Sequence, residues 1–419
     1  MRRKRYTLYL VILAMLLAGM ITGQGFFFHI AYLFIAVVAF AFLWAWNGPN
    51  WLRLSRQTRA RRAQVGRYME ERFAVQNTGP LPKLWIEIYD ESDLPLHRSS
   101  RVITRLGPGR TTIWGVRTLC VRRGNFQLGP LRVVSADPFG LFEVERKAPA
   151  TSQLIVYPWL VEISGFAQPY GILPGGDALR RRVHHITTNV SGVRDYVPGD
   201  SFNRIHWKST ARRERLISKE FELDPLADIW IVLDSERLVH SGEYTFKDEE
   251  GLLPWEDATQ YRLPPTTEEY AITAAASLAR FFLGRDRAVG FVTHAPRREC
   301  VQADRGSRQL RKMLETLAMV QIGGHVTLDQ VLSMEGDLLG RGATVVVITP
   351  STRETWVASA QRLLRRGLRV IAVLVDVESF GGRPGSRNIE ALLGTMGIPV
   401  YVLANGDDLS AVLSQPLVR

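Results

Sequence analysis

The sequence predicts a multidomain chain: an N-terminal two-helix transmembrane hairpin, an all-β sandwich, and an α/β doubly wound sheet. Three observations predict it. Two uncharged apolar runs stand at the N-terminus, short strand-like segments with frequent turns follow, and beyond Leu226 apolar runs alternate with helical periods.

The first apolar run extends from Tyr6 to Ile21 and the second from Phe26 to Trp46, with Thr22-Gly23-Gln24-Gly25 between them. Each approaches the ~20 residues a helix needs to cross ~30 Å of hydrocarbon. Trp44, Trp46 and Trp51 gather at the end of the second run, where indoles favour the headgroup region, and Asn47-Gly48-Pro49 stops the helix. The net charge is +12, yet ten basic residues (Arg2, Arg3, Lys4, Arg5, Arg53, Arg56, Arg59, Arg61, Arg62 and Arg67) precede the first acidic one, Glu70, leaving +2 for the rest. A basic collar on both outer ends of a hairpin places the N-terminus and the soluble domains in the cytoplasm by the positive-inside rule. It also leaves no concentrated basic face for nucleic acid. The rival reading of the first run as a cleaved signal peptide finds no clear small-residue cleavage site and leaves the second run unexplained. The expected product is a multi-pass cell-membrane protein whose first partner is the lipid bilayer.

With 1–65 assigned to the hairpin and its basic flanks, residues 66–163 read as a β-sandwich of immunoglobulin or fibronectin type. Strands are expected over Tyr68–Val75, Leu84–Ile88, Arg101–Leu106, Arg110–Val116, Thr118–Arg122 and Leu131–Ala136, with turns such as Gly107-Pro108-Gly109 and Arg123-Gly124-Asn125 between them. Residues 164–225 form a connector, Gly- and Pro-rich and then charged. In 226–419, buried parallel strands are expected at Ala227–Leu233, Ala288–Thr293, Ala343–Thr349, Leu368–Val375 and Pro399–Leu403. Helices fill the intervals, with Ser307 and Thr327 as N-caps. Cys120 and Cys300 give neither a disulfide framework nor a metal-ligand spacing.

The connector contains Arg194-Asp195-Tyr196-Val197-Pro198-Gly199-Asp200, then Arg204-Ile205-His206-Trp207 and Ala211-Arg212. Val197-Pro198-Gly199-Asp200 favours a type II turn, and Asp200 is expected to cap a helix from Ser201 on which Arg204, Trp207 and Lys208 share a face. Arg194, Asp195, Asp200 and Arg204 are candidates for an ion-pair network. These residues closely resemble the signature of the domain of unknown function 58 family, with Arg194, Tyr196, Pro198, Gly199, Asp200, Arg204, Trp207, Ala211 and Arg212 at its fixed positions. Upstream, Arg122-Arg123-Gly124, Leu128-Gly129-Pro130 and Asp137-Pro138-Phe139-Gly140 extend the resemblance. The resemblance implies two membrane helices, a C-terminal domain similar to von Willebrand factor A, and partnership with a MoxR-type AAA+ ATPase. It further implies transglutaminase-like or other envelope proteins as associates and a role in protein assembly. It carries no established chemistry and no cofactor.

A von Willebrand A domain often holds Mg²⁺ through three loops of oxygen ligands. Here the first loop reads Asp234-Ser235-Glu236, keeping the Asp alone; the second places His325 before Val326-Thr327; the third carries Pro350 where an Asp belongs. The expected outcome is a degenerate site that holds no metal, with Asp234, Glu236 and Thr327 as the fallback ligand set. His184-His185 reads as a solvated pair, and His294 near Cys300 lacks a third group for nucleophilic catalysis. Gly381-Gly382-Arg383-Pro384-Gly385 lacks the Lys-Ser/Thr ending of a phosphate loop. The acidic insert between Val239 and Thr266 reads as a solvated loop at the ligand-binding edge of the sheet. A non-enzymatic adaptor is the expectation. A hydrolase or transferase built on Asp195, Asp200 or His206 and a metal-dependent adhesion module are the alternatives.

Overall fold

The computed structural model describes residues 2–166, 190–197, 205–221, 228–243, 261–340 and 342–415. Pro198, Gly199, Asp200 and Arg204, the Arg180–Arg182 run, His184-His185 and Lys247–Glu250 lie outside them. The chain divides into two compact units, the first formed by residues 1–159, 244–264 and 314–320 and the second by the remainder.

The first unit begins with two apolar helices, α1 (Arg2–Thr22) and α2 (Gly25–Asn47). They turn at Gly23, whose φ of +68° is a left-handed conformation that glycine adopts without steric cost. Ten strands follow: β1 (Leu52–Thr58), β2 (Arg62–Gln64), β3 (Tyr68–Asn77), β4 (Ile86–Asp90), β5 (Arg101–Ile103), β6 (Thr111–Leu119), β7 (Gly124–Leu128), β8 (Leu131–Ala136), β9 (Glu143–Ala148) and β10 (Ser152–Tyr157). They form sheets in the orders β1-β3-β6, β2-β10-β7 and β5-β4-β8-β9. Phe73 and Trp114 from the first sheet meet Ile86, Ile88, Leu131 and Val133 from the third in one buried cluster. Phe73 and Trp114 stack with their centroids 5.3 Å apart. The end of α2 presses on β8: a Cβ added at Gly48 would lie 2.1 Å from the Ser135 side chain, so only glycine fits there.

Three expectations need correcting in this unit. Leu52–Thr58 and Arg62–Gln64, counted among the basic flanks, are strands β1 and β2, and Arg56 within β1 is buried. Arg110–Val116 and Thr118–Arg122 are essentially one strand, because Arg117 continues the ladder opposite Glu70. Gly124 opens β7 where a turn was expected.

The second unit contains a hairpin of β11 (Val190–Asp195) with β12 (Ile217–Phe221), and between them α3 (Trp207–Arg213). Its main sheet uses β13 (Ile229–Leu233), β14 (Val289–His294), β15 (Arg298–Asp304), β16 (Thr344–Thr349), β17 (Arg369–Val375) and β18 (Val400–Leu403), in the order β15-β14-β13-β16-β17-β18. All neighbours are parallel except β14 and β15, an antiparallel edge pair that the sequence reading did not separate. The helices are α4 (Thr267–Leu283), α5 (Gly306–Met319), α6 (Leu328–Met334), α7 (Thr355–Arg365), α8 (Ser386–Thr395) and α9 (Leu409–Leu413). Alternate strand residues such as Trp230, Val345 and Ala372 bury against α6, α7 and α8, including Leu332, Trp356 and Ile389. None of α4 enters that layer; it packs on the opposite face of β13, β14, β16 and β17. With both faces covered, β13 and β16 are buried along their whole length, which explains their continuous apolar runs. Gly290 is required on β14, since a Cβ there would stand 2.6 Å from the Trp230 indole.

Candidate functional site

In a parallel sheet whose order reverses about a central strand, ligand crevices form at the carboxyl ends of the strands on either side of the switch. Here the chain leaves β13 at Asp234 and β16 at Thr349, two neighbouring strands. Asp234 is fully buried; its Oδ2 accepts from the Thr349 hydroxyl at 2.6 Å and its Oδ1 from the Glu236 backbone N–H at 3.0 Å. Burial outweighs those hydrogen bonds and raises the Asp234 carboxyl to about 6. Glu236, also buried, is gripped bidentately by Arg353, with both N–O distances 2.8 Å. Thr293 lies 3.0 Å from the Ser235 hydroxyl. His240 Nε2 donates to the Asp234 carbonyl oxygen at 3.0 Å, and burial lowers this imidazole to about 4, so it is neutral.

These residues do not fit a divalent cation. The guanidinium of Arg353 already supplies the positive charge beside Glu236, and Pro350 is buried without a side-chain oxygen to offer. His325 is exposed. Thr327, of the fallback set, caps α6 in a capping box with Gln330. Nearby, Glu335 accepts from Arg298 (2.6 and 2.8 Å) and lies 2.8 Å from His294 Nε2, which holds its carboxyl below the usual range. His294 is thus engaged with Glu335, and burial raises the Cys300 thiol, keeping it protonated.

The signature segment differs from its expected form. The helix begins at Trp207 and not at Ser201, because Ile205 bridges to Ser218 and His206 is the N-cap, its Nδ1 accepting from the Ser209 N–H at 3.2 Å. Ser201 and Arg204 lie outside the described residues. Asp195 pairs with Arg215 at 3.1 Å on the surface, a partner the sequence reading did not name. Arg194 and Tyr196 lie at the end of β11 and just beyond it, and Arg212 sits in the last turn of α3. Trp207 is 66% exposed.

A second polar cluster, in the β-rich unit, escaped the sequence reading altogether. Arg56, Glu71, Asp90 and His97 meet with side chains no more than 3% exposed. Arg56 Nε lies 3.1 Å from Glu71, and its Nη2 bonds Asp90. His97 Nε2 faces Asp90 Oδ2 at 3.0 Å and Glu71 Oε2 at 3.2 Å, while Nδ1 meets the Thr118 hydroxyl at 2.7 Å. Although burial opposes the imidazolium, the two carboxylates raise the His97 pKa above its ordinary value. The hydrogen bonds to His97, the Ser and Thr hydroxyls and Arg56 hold both carboxyls low despite burial. Among the described residues these three acid and imidazole groups are the one cluster with metal-ligand spacing. Arg56 and the His97 imidazolium together balance the two carboxylates, so the arrangement is a closed ion network. Four side chains spread from 56 to 97 carry no local motif, and the only sequence signal was Arg56 falling on the same face of β1 as Leu52 and Leu54.

The sequence profile of the family described as "Protein of unknown function DUF58" matches residues 192–251. The uncharacterized protein YeaD of Bacillus subtilis (strain 168) is 26% identical over 240 residues, 54% of this chain. The match covers 59% of YeaD, less than two thirds of its length. Among solved structures, the CARDB domain of a Pyrococcus furiosus protein aligns with 25% of this chain and 86% of its own, at 14% identity and a TM-score of 0.20. The pilus adhesin SpaC from Lactobacillus rhamnosus GG aligns with 45% of this chain and 29% of its own, at 9% identity and a TM-score of 0.31. Scores this low carry no inference about fold or function.

Proposed function

We propose that this chain, which belongs to the domain of unknown function 58 family, is a membrane-anchored adaptor without catalytic chemistry of its own. The carrying observation is the pair of N-terminal helices. Their apolar windows have mean hydropathies of 1.7 and 2.5, and only 6% and 11% of those windows is buried within the protein. Helical surface that apolar and that uncovered is stable in hydrocarbon and costly in water. The basic residues at both outer ends support a cytoplasmic placement of the two soluble units.

The adaptor reading draws on how the charged groups are used. At the sheet edge Glu236 and Glu335 are committed to Arg353 and Arg298 and are not free to act as an acid–base pair. We read the second unit as a von Willebrand A-like domain, on its strand order and on Asp234 directly after the first strand of the sheet, and the first as an immunoglobulin-like sandwich. The family resemblance makes a MoxR-type AAA+ ATPase the partner to look for. Trp207, exposed at the head of α3 with Arg212 and Arg213 in its last turn, is the docking element we assign. Crosslinking and affinity capture from native membranes tests this. Trp207→Ala with Arg212→Glu is expected to abolish capture of the ATPase while the chain stays in the membrane fraction. Unchanged capture overturns the docking assignment, and release of the wild-type chain by alkaline washing overturns the anchor.

A further inference from the structure

Where α2 runs into the β-rich unit, a cavity of about 300 Å³ opens between the helix and the segment 81–85. Its walls are apolar: Phe40, Leu43 and Trp44 from α2, and Leu81, Leu84 and Trp85 facing them. Its polar lining includes Lys83, which is 1% exposed. The Lys83 ammonium donates to the Asn47 carbonyl and, at 2.6 Å, to the Asn47 Oδ1, and it lies 5.2 Å from the Trp51 ring. Both acceptors are neutral, and among the described residues no carboxylate forms an ion pair with it.

A buried cation normally has an anion beside it, because the cost of removing it from water is large. Burial lowers Lys83 to about 8, which still leaves it mostly protonated near neutral pH. Two of its three donors are taken, which leaves one N–H uncommitted among the described residues. The walls belong to the end of α2 that carries Trp44 and Trp46, and Leu81, Leu84 and Trp85 continue that apolar surface onto the β-rich unit, each at least 41% exposed. A separate cleft, lined by Trp51, Arg53 and Arg146 among others, shares no lining residue with this cavity. An apolar cavity with one buried cation, at the end of a membrane-length helix, matches one class of molecule in both parts.

We propose that this cavity binds one anionic glycerophospholipid. Its phosphodiester accepts a hydrogen bond from Lys83, and an acyl chain runs along Phe40, Leu43 and Trp85. The Lys83 charge favours an anionic headgroup over a zwitterionic one. The inference rests on the reading of α1 and α2 as a membrane hairpin.

The test uses the full chain, purified in detergent and loaded from vesicles of phosphatidylcholine with or without phosphatidylglycerol, with bound lipid counted by native mass spectrometry. The wild type and Lys83→Arg are expected to retain one phosphatidylglycerol through detergent exchange. Lys83→Gln is expected to weaken retention about tenfold, the size expected for one lost charge-assisted hydrogen bond. Trp85→Ala, at a partly exposed wall position, is expected to weaken it as well and serves if Lys83→Gln fails to fold. Wild-type retention by a folded Lys83→Gln, or by Trp85→Ala in its place, overturns the proposal. So does displacement of the lipid by inorganic phosphate, which would make the site a phosphate site. Alkaline washing separates the two readings. A chain that stays in membranes but shows no Lys83-dependent lipid refutes this inference alone, while a chain that washes off refutes the anchor.

Discussion

The imidazole of His97 sits 3.0 Å from Asp90, Nε2 to Oδ2, and neither side chain is more than 2% exposed. Arg56, Glu71 and Thr118 complete the surroundings of the ring, with the Phe73 ring 6.5 Å away. With His97 protonated, two cations balance two carboxylates and the network is neutral.

The stability of the β-rich unit should therefore peak at mildly acidic pH. His97 is raised above its ordinary value of 6.5, so its contribution is complete below that value and is lost as pH rises through the folded pKa. Glu71 and Asp90 are lowered, so theirs is complete above the ordinary carboxylate range and is lost as pH falls through the folded values. Thermal unfolding followed by tryptophan fluorescence across pH should show both limbs. His97→Gln should erase the alkaline limb alone; an unaltered profile would refute the assignment.

Removing Arg56 should be far worse than removing a surface arginine. Arg56→Met leaves Glu71 and Asp90 buried against each other and is expected to cost about 3–5 kcal/mol. Arg59, 81% exposed in its pair with Glu70, provides the comparison. Arg59→Met should change stability by no more than about 0.5 kcal/mol. Urea denaturation of the two variants side by side decides it.

In the second unit, Asp234→Asn should stabilise the protein at neutral pH. The folded carboxyl is pushed up to about 6, above its ordinary value of 3.8, so ionising it in the folded state costs stability as pH rises between those values. An amide keeps an acceptor for the Thr349 hydroxyl and never ionises. The expected gain above pH 6 is about 1–3 kcal/mol, shrinking to nothing below pH 4. Millimolar Mg²⁺ should leave the wild-type Tm unmoved, and a rise would restore the case for a cation at this edge.

Gly48→Ala should be damaging and repairable. The new methyl group meets the Ser135 side chain, and overpacking of this kind costs about 1–3 kcal/mol. Ser135→Gly opens the space, at the expense of the Ser135 hydroxyl bond to the Trp85 carbonyl. The double variant should be more stable than Gly48→Ala alone, and additive losses in a thermal melt would count against this packing.

What the sequence revealed and what it hid follow from the range of the interactions. The two apolar helices, the buried strands and the Thr327 cap were legible because hydropathy, periodicity and capping act within a few residues. Arg56 was misread for a physical reason. Its strand alternates half-buried and exposed positions, and an arginine in such a pattern resembles a solvated charge until Glu71, Asp90 and His97 are brought to it by pairing that no local pattern records. The misplaced helix start has a similar origin. The Pro198-Gly199-Asp200 turn suggested a cap at once, whereas the bridge from Ile205 to Ser218 delays the helix to Trp207. The Arg353 clasp on Glu236 joins positions 117 residues apart.

The passage from α2 to β1 takes only four residues, Gly48 to Trp51, and β1 is paired with β3 from its first residue. Even fully extended, four residues reach only about 13 Å. With the hairpin seated as proposed, the β-rich unit has no leash. It stands at a fixed height and heading above the bilayer, so a partner must come to the membrane to meet it. Any pull exerted on that unit passes directly into the hairpin as a mechanical load.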